Sequence, residues 1–249
     1  MGFTIKHNKS TSIIPANRVG CKAHNITEVL SSEAWKGRKC FLLGGGPSLK
    51  NFNFEFIKNE LTIGINKAFI KYPSTVNYAM DDRFYNMVSS SSKKDIEKKN
   101  LHQQWIGYKG IKVFPKRSSK SVLDDSVYAV NVLPEIALSF NLGKGIWLGN
   151  NSGFGALALA CCLGAIQIGL LGYDLKVDTI ASKTHWHGGY ENQPFNSFQR
   201  KLDRFKKCFE EFAETIAQQG ILVTNLNLNS ALECFPKDTI ENFLKSTST

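Results

Sequence analysis

The chain has 249 residues, 42% of them hydrophobic, and a formal net charge of +10. This length and composition support an ordinary hydrophobic core, in one large α/β domain or two small ones. No apolar run approaches the length needed to cross a bilayer, which excludes a membrane-spanning segment, and Pro15 follows Ile13 and Ile14 too closely for a signal peptide. We therefore expect a cytoplasmic protein, or one in the host cytoplasm if the gene is viral.

The charge favours an anionic partner such as nucleic acid, a phosphorylated glycan or an acidic membrane surface, although a solubilising surface would have the same composition. No known nucleic-acid-binding motif accompanies it. Six cysteines lack any CxxC spacing, so we expect reduced thiols without structural zinc. The basic clusters are Lys93-Lys94, Lys98-Lys99, Lys116-Arg117-Lys120 and Arg200-Lys201-Arg204-Lys206-Lys207.

Strand and helix patterns alternate along most of the chain. Residues 1–36 predict a loosely ordered arm with a short helix near residues 26–30, residues 37–236 a single catalytic domain, and residues 237–249 a tail. Apolar runs predict strands, and amphipathic spacing predicts helices at 49–60 and 198–219. The predicted strands are 39–43, 61–65, 76–80, 165–171 and 221–226, with weaker candidates at 104–106, 111–114 and 145–148.

In two segments the apolar residues follow neither the helix period nor the strand period. Residues 89–100 are polar and predict an exposed helix or loop, and residues 116–145 are irregular, so that about residues 86–145 are expected to form a lid or insert. Alternation of strands and helices elsewhere predicts an α/β fold. We expect a doubly wound, mostly parallel Rossmann-like sheet with helices on both faces.

A glycine-rich turn follows the first long strand. Gly44, Gly45 and Gly46 allow a tight turn with close backbone approach, and Pro47 and Ser48 suit the first turn of a helix, where serine caps free N–H groups. Strand, glycine turn and helix start together form a cradle for a nucleotide phosphate or ribose. An ordinary tight βα turn is the alternative.

Polar residues recur where other predicted strands end, which is where open parallel sheets bind their ligands. A second glycine-rich turn precedes a helix of small residues. The strand-end residues are Asn66, Asp81, Asp82, Asn150, Asn151, Ser152, Gly153, Tyr173 and Asp174.

The loop Thr184-His185-Trp186-His187-Gly188-Gly189-Tyr190 is a second candidate centre. Two histidines at i and i+2 can ligate one metal, or one can act as a general base while the other binds phosphate. A surface loop stabilised by Trp186 is the alternative. Zinc is disfavoured, because neither HExxH nor CxxC supplies further ligands.

Asp81 and Asp82 are candidates for holding Mg²⁺, which prefers one or two carboxylates together with phosphate oxygens. Either carboxylate could equally bind a ribose hydroxyl or pair with Arg83. The sequence leaves these roles open.

The segment GGGPSLK, Asn66 after the next strand, and the block NNSGFGALALACCLGAIQIGLLGYD resemble the bacterial sialyltransferases that modify lipooligosaccharide. In that family the first motif and the serine-glycine turn bind the CMP part of the donor, and a histidine in the loop after the G-x-D strand is the general base. The chain also resembles archaeal hydroxymethyldihydropterin pyrophosphokinases, motility-associated glycosyltransferases and bacteriophage-encoded members. These share GxGPSL, an aspartate after the third strand and an H-x-H-G loop; the resemblance covers roughly residues 37–235.

The resemblance implies that the nucleotide contacts its first motif, Asn66 and the serine-glycine turn. Gly45 replaces the sialyltransferase asparagine, and Asn150 stands where those enzymes have an arginine, which argues against CMP-sialic acid as the specific donor. The predicted nucleotide-binding residues are Gly44, Gly45, Gly46, Pro47, Ser48, Asn66, Asn151, Ser152, Gly153, Tyr173 and Asp174.

The leading hypothesis is a glycosyltransferase that uses a nucleotide-sugar co-substrate without an organic cofactor. His187, or else His185, is its expected base, Mg²⁺ at Asp81 or Asp82 is an optional component, and an anionic glycan or a modified DNA base is the expected acceptor. The alternatives are a Mg²⁺-dependent ATP diphosphotransferase and a non-catalytic nucleotide- or nucleic-acid-binding protein. The oligomeric state is left open.

Overall fold

The computed structural model describes residues 23–90, 95–116, 123–177, 185–186 and 195–246, excluding the side chains of residues 195 and 196. Most of the predicted N-terminal arm and residues 187–194, which include His187, lie outside this part of the chain.

Eight parallel strands form one sheet, as the alternation of strand and helix patterns predicts. Its spatial order is β1-β6-β5-β4-β3-β2-β7-β8. The strands are β1 (His24–Asn25), β2 (Lys39–Leu43), β3 (Leu61–Ile65), β4 (Val76–Tyr78), β5 (Ile111–Pro115), β6 (Tyr128–Val130), β7 (Gln167–Leu171) and β8 (Leu222–Asn225).

Helices cover both faces of the sheet, which confirms the doubly wound α/β fold. In the described residues these are α1 (Ala68–Lys71), α2 (Asp82–Ser89), α3 (Ile96–Gly107), α4 (Ser152–Cys162), α5 (Phe195–Gln218) and α6 (Ile240–Lys245). None of the described helices is both long enough and apolar enough to cross a membrane.

Side chains of β2 alternate between the two faces, as a buried strand requires. Cys40 and Leu42 pack in the core beneath α4 and α5, whereas Phe41 and Leu43 pack with α1 and α6 on the other face. The small residues of α4 let this helix lie close to the sheet. A Cβ on Gly155 would overlap the hydroxyl of Tyr78, so only glycine fits there.

The helix predicted at 49–60 is wrong in type. The chain forms two short 3-10 helices, Pro47–Asn51 and Phe54–Ile57, separated by extended backbone at Phe52. The Asn53 side chain accepts a hydrogen bond from the backbone N of Glu55 at 3.1 Å, and it thereby caps the second 3-10 helix at its N-terminus.

Three further local predictions also need correction. Residues 104–106 lie in α3, not in a strand, because Leu101 and Trp105 bury one helix face. The region 116–145 contains β6, which pairs with β1 and β5. The strand predicted at 145–148 is only an isolated bridge between Val132 and Ile146.

The sheet order places a topological switch point between β2 and β7. From β2 the chain adds β3 and β4 on one side, and it later returns to add β7 on the other. Loops that leave two such strands diverge and open a crevice beyond their carboxyl ends. The fold therefore predicts the ligand site at the glycine turn that follows β2.

Candidate functional site

A cleft lies at this switch point, beyond the carboxyl ends of β2, β3, β4 and β7. It brings together most of the site residues predicted from the sequence. Ser48, Pro47 and Asp82 do not line it, and His187 lies outside the described residues. The lining residues are Gly44, Gly45, Gly46, Ile65, Asn66, Met80, Asp81, Asn150, Asn151, Ser152, Gly153, Gly172, Tyr173, Asp174, Leu175, Lys176, His185, Phe198, Lys201, Leu202, Phe205 and Phe209.

The glycine loop, residues 44–46, is fixed against the end of β7. The backbone N of Gly44 donates to Leu171 O at 2.7 Å, and that of Gly46 donates to Gly172 O at 2.8 Å. A Cβ on Gly44 would lie 2.5 Å from Gly172 O, and one on Gly46 would overlap the carboxylate of Asp174. Close backbone packing, as well as the turn itself, therefore requires these glycines.

Asp174 holds the residues that follow this loop. Its Oδ1 accepts a hydrogen bond from the backbone N of Ser48 at 3.1 Å, and its Oδ2 accepts one from Ser48 Oγ at 2.7 Å. Burial raises the pKa of Asp174, and the bonds from Ser48 oppose that shift. The amide and hydroxyl of Ser48 thus donate to a protein carboxylate, instead of capping the helix as the sequence suggested.

His185 and Trp186 lie directly on the glycine loop. Trp186 donates its backbone N to Gly45 O at 3.0 Å and its Nε1 to Gly44 O at 3.3 Å. A Cβ on Gly45 would lie 2.8 Å from Cδ2 of His185, so the absence of a side chain there makes room for the imidazole. The His185 ring also meets Phe198 at 5.7 Å between centroids. These contacts keep the imidazole at the cleft wall.

The N-terminus of α4 forms another wall. Asn151 caps the helix, since its Oδ1 accepts from the backbone N of Phe154 at 2.7 Å. Ser152 is 8% exposed, and its hydroxyl makes no hydrogen bond to the described residues. Tyr173 donates its hydroxyl to Gly153 O at 3.0 Å, and burial raises its pKa. The polar atoms of Asn151 and Tyr173 are therefore engaged in shaping the site, whereas Ser152 retains its hydrogen-bonding capacity.

Backbone strain concentrates at the cleft. Within the described part of the chain, the non-glycine residues with positive φ are Asn66 at 53°, Asn150 at 57° and Leu175 at 45°, and all three line it. The Oδ1 of Asn66 is buried and has no hydrogen-bond partner among the residues that the structure describes. Such strain and an unpaired acceptor are features of sites that bind ligands.

Charged side chains of both signs line the cleft. Desolvation by the surrounding protein raises the pKa of Asp81, the positive charge of Lys201 opposes this effect, and Asp82 adds to it. Lys176 supplies a second cation. Neither lysine is among the site residues predicted from the sequence, although Lys201 occupies a position in α5 where the apolar spacing would place a hydrophobic residue.

For Mg²⁺, the residues supply only part of a coordination shell. Asp81 lines the cleft and would be its carboxylate ligand, with the remaining positions left to phosphate oxygens and water. No group of three or more His, Cys, Asp or Glu side chains converges as metal ligands among the described residues.

No family model and no curated protein matches the chain in sequence. In fold it is similar to solved structures of the sialyltransferase CstII from Campylobacter jejuni. For the complex with cytidine-5'-monophosphate, the identity is 14% and the TM-score 0.45, over 81% of this chain and 85% of that chain. For the sialyltransferase CST-II with trisaccharide acceptor and CMP, the values are 15%, 0.45, 84% and 89%. At these identities and TM-scores, the likeness says nothing about the donor or acceptor of this chain.

Proposed function

We propose that the chain is a glycosyltransferase that takes a sugar from a nucleotide-activated donor, with His185 as general base. The observation that carries the proposal is the placement of the His185 imidazole against Gly45, inside the strand-end cleft. This brings an imidazole, the side chain that most often serves as a general base, next to a cradle suited to phosphate.

The donor's phosphate fits the wall formed by the N-terminus of α4. The first N–H groups of a helix have no partner within it and carry partial positive charge, and the Ser152 hydroxyl adds a donor. The unpaired Oδ1 of Asn66 would accept a hydrogen bond from the base or ribose. The cleft therefore offers hydrogen-bond donors for the phosphate of a nucleotide and a hydrogen-bond acceptor for its base or ribose.

In the transfer step, the acceptor hydroxyl oxygen forms a bond to the anomeric carbon of the sugar. The bond between that carbon and the phosphate oxygen breaks, and the phosphate leaves with the electron pair. His185 takes the proton of the hydroxyl, while the α4 N-terminus and Ser152 stabilise the departing phosphate. His187 stays a second candidate for the base, because it lies close in sequence to the same loop.

An exposed basic stripe on α5 supports an anionic acceptor. Arg200, Arg204 and Lys207 are exposed at i, i+4 and i+7, and they lie on one side of the helix that also supplies Lys201 to the cleft. A phosphorylated glycan or DNA would be attracted to such a stripe, in a salt-dependent manner.

The diphosphotransferase alternative rests on Asp81. A carboxylate in a phosphate-binding cleft could hold Mg²⁺ against ATP, and an alcohol would then receive the diphosphate. The two functions differ in their donor, so ligand binding separates them.

The test is a thermal-shift panel of CMP, UMP, UDP, GDP, ADP and ATP, each with and without Mg²⁺. A ligand that binds only the folded state raises the melting temperature as its concentration exceeds Kd. Stabilisation by CMP, UDP or GDP, followed by consumption of the matching nucleotide sugar, is the expected result. A shift confined to ATP with Mg²⁺ would favour the diphosphotransferase, and no shift with any nucleotide would refute both enzymes.

A further inference from the structure

Helix α5 places one charged side chain on an otherwise apolar cleft wall. The residues that it contributes are Phe198, Lys201, Leu202, Phe205 and Phe209. Lys201 is partly exposed, and it places a positive charge beside this apolar surface. An anion that enters the cleft would meet this charge.

The protein itself compensates this charge only in part. No salt bridge joins Lys201 to a described residue. Its Nζ lies 5.5 Å from the centroid of the Phe205 ring, and its charge acts on Asp81. By contrast, Lys206 on the same helix forms a salt bridge with Asp203 at 2.8 Å. Lys201 thus retains the capacity to bind an anion.

The adjoining wall carries hydrogen-bond donors for an anion at the N-terminus of α4, which packs against α5 through the Phe154 and Phe209 rings, 5.5 Å apart between centroids. Ser152 begins this 11-residue helix and is 8% exposed, and its hydroxyl has no hydrogen-bond partner among the described residues. An anion in the cleft could therefore bind between α4 and α5. Lys176 is exposed at the mouth, where solvent screens its charge.

We propose that Lys201 and the Ser152 hydroxyl bind the phosphate of the nucleotide in this cleft, and that the bound phosphate replaces Asp81 as the negative charge that balances Lys201. This assignment rests on the proposed function and specifies which side chain recognises the phosphate ester. In the transfer step, Lys201 would neutralise the negative charge that develops on the leaving oxygen.

The test compares nucleosides with their monophosphates by titration calorimetry, using cytidine with CMP, uridine with UMP and adenosine with AMP. Lys201→Met should weaken binding of the preferred monophosphate about tenfold or more, since hydrogen bonds to charged groups are among the strong ones. Binding of the nucleoside should stay unchanged. Lys201→Arg should retain most of the affinity for the monophosphate.

Lys206→Met is the matched control, because Lys206 lies on the same helix, pairs with Asp203 and does not line the cleft. It should leave both affinities unchanged, and Lys176→Met should weaken monophosphate binding less than Lys201→Met does. Melting temperatures of the unliganded variants establish that each is folded.

Equal losses for nucleoside and monophosphate in Lys201→Met, or no loss at all, would overturn the assignment while leaving nucleotide binding intact. Failure of the wild-type chain to bind any of the six compounds, together with no stabilisation by GDP in the thermal-shift panel, would instead refute the proposed function, and this assignment with it.

Discussion

Ser48 donates two hydrogen bonds to one carboxylate, that of Asp174, through its backbone N at 3.1 Å and its Oγ at 2.7 Å. The two residues are far apart in sequence, but Ser48 follows the glycine loop after β2, and Asp174 follows β7. The pair thus connects the two loops that diverge at the switch point of the sheet. It positions the glycine loop without donating to the ligand.

Ser48→Ala should lower the free energy of unfolding by about 1.5–3 kcal/mol, because it removes a hydrogen bond to a charged, buried carboxylate. Urea denaturation measures the effect. The control is Ser90→Ala, at an exposed position, which should change stability by no more than about 0.5 kcal/mol. Equal effects of the two substitutions would mean that the Ser48–Asp174 bond adds little to stability.

The stability of the protein should depend on pH through Asp174. Its pKa is raised in the folded state above the ordinary value of 3.8, so the folded state binds this proton more tightly than the unfolded state does. The favourable contribution of Asp174 is therefore fully present below 3.8, and it is lost as pH rises through the raised pKa.

Asp174→Asn removes this titration. The free energy of unfolding of the wild type minus that of the variant should fall as pH rises through this window and then become constant. Urea denaturation between about pH 3 and pH 7 provides the measurement. A difference that rises with pH would show that hydrogen bonds from Ser48 outweigh the effect of burial.

Gly46→Ala should destabilise the protein by about 1–3 kcal/mol, since the added methyl group overlaps the Asp174 carboxylate and must displace it. Nucleotide affinity should fall as well, because the loop that holds the ligand moves. Gly107→Ala is the matched control at the end of α3, where an added Cβ meets no atom within 4 Å. Thermal unfolding and the nucleotide panel together test both effects, and wild-type behaviour of Gly46→Ala would refute the close packing.

His185→Gln should lower kcat about 10²- to 10⁴-fold, the usual contribution of a general base, while donor affinity changes little. The control is His24→Gln, because His24 lies on β1, is exposed, pairs with Glu28 and does not line the cleft. Steady-state rates with the donor found in the panel provide the test. Full activity in His185→Gln together with loss in His187→Gln would transfer the role to His187.

Most of the long strands and helices could be predicted from the sequence, because their hydrophobic patterns are local. Strands β2, β3 and β7 are short apolar runs that end at glycine or asparagine, and α5 has strong apolar periodicity, so each pattern is contained in a few neighbouring residues. The two-residue strand β1 and the three-residue strand β6 could not be found this way. They are strands because they pair with each other and with β5, which is a long-range relationship.

The amino-acid sequence by itself determined that glycine, asparagine and aspartate would gather at strand ends, because parallel strands of a doubly wound sheet all end at one edge. Only the tertiary structure decided what each polar atom does there. The donors of Ser48 are taken by Asp174, the Asn151 side chain caps α4, and Asn66 Oδ1 has no partner in the described part of the chain. The packing of segments that are distant in sequence sets these hydrogen-bond partners. The same packing brings Lys201 of α5, which is remote in sequence from the glycine loop, into the cleft.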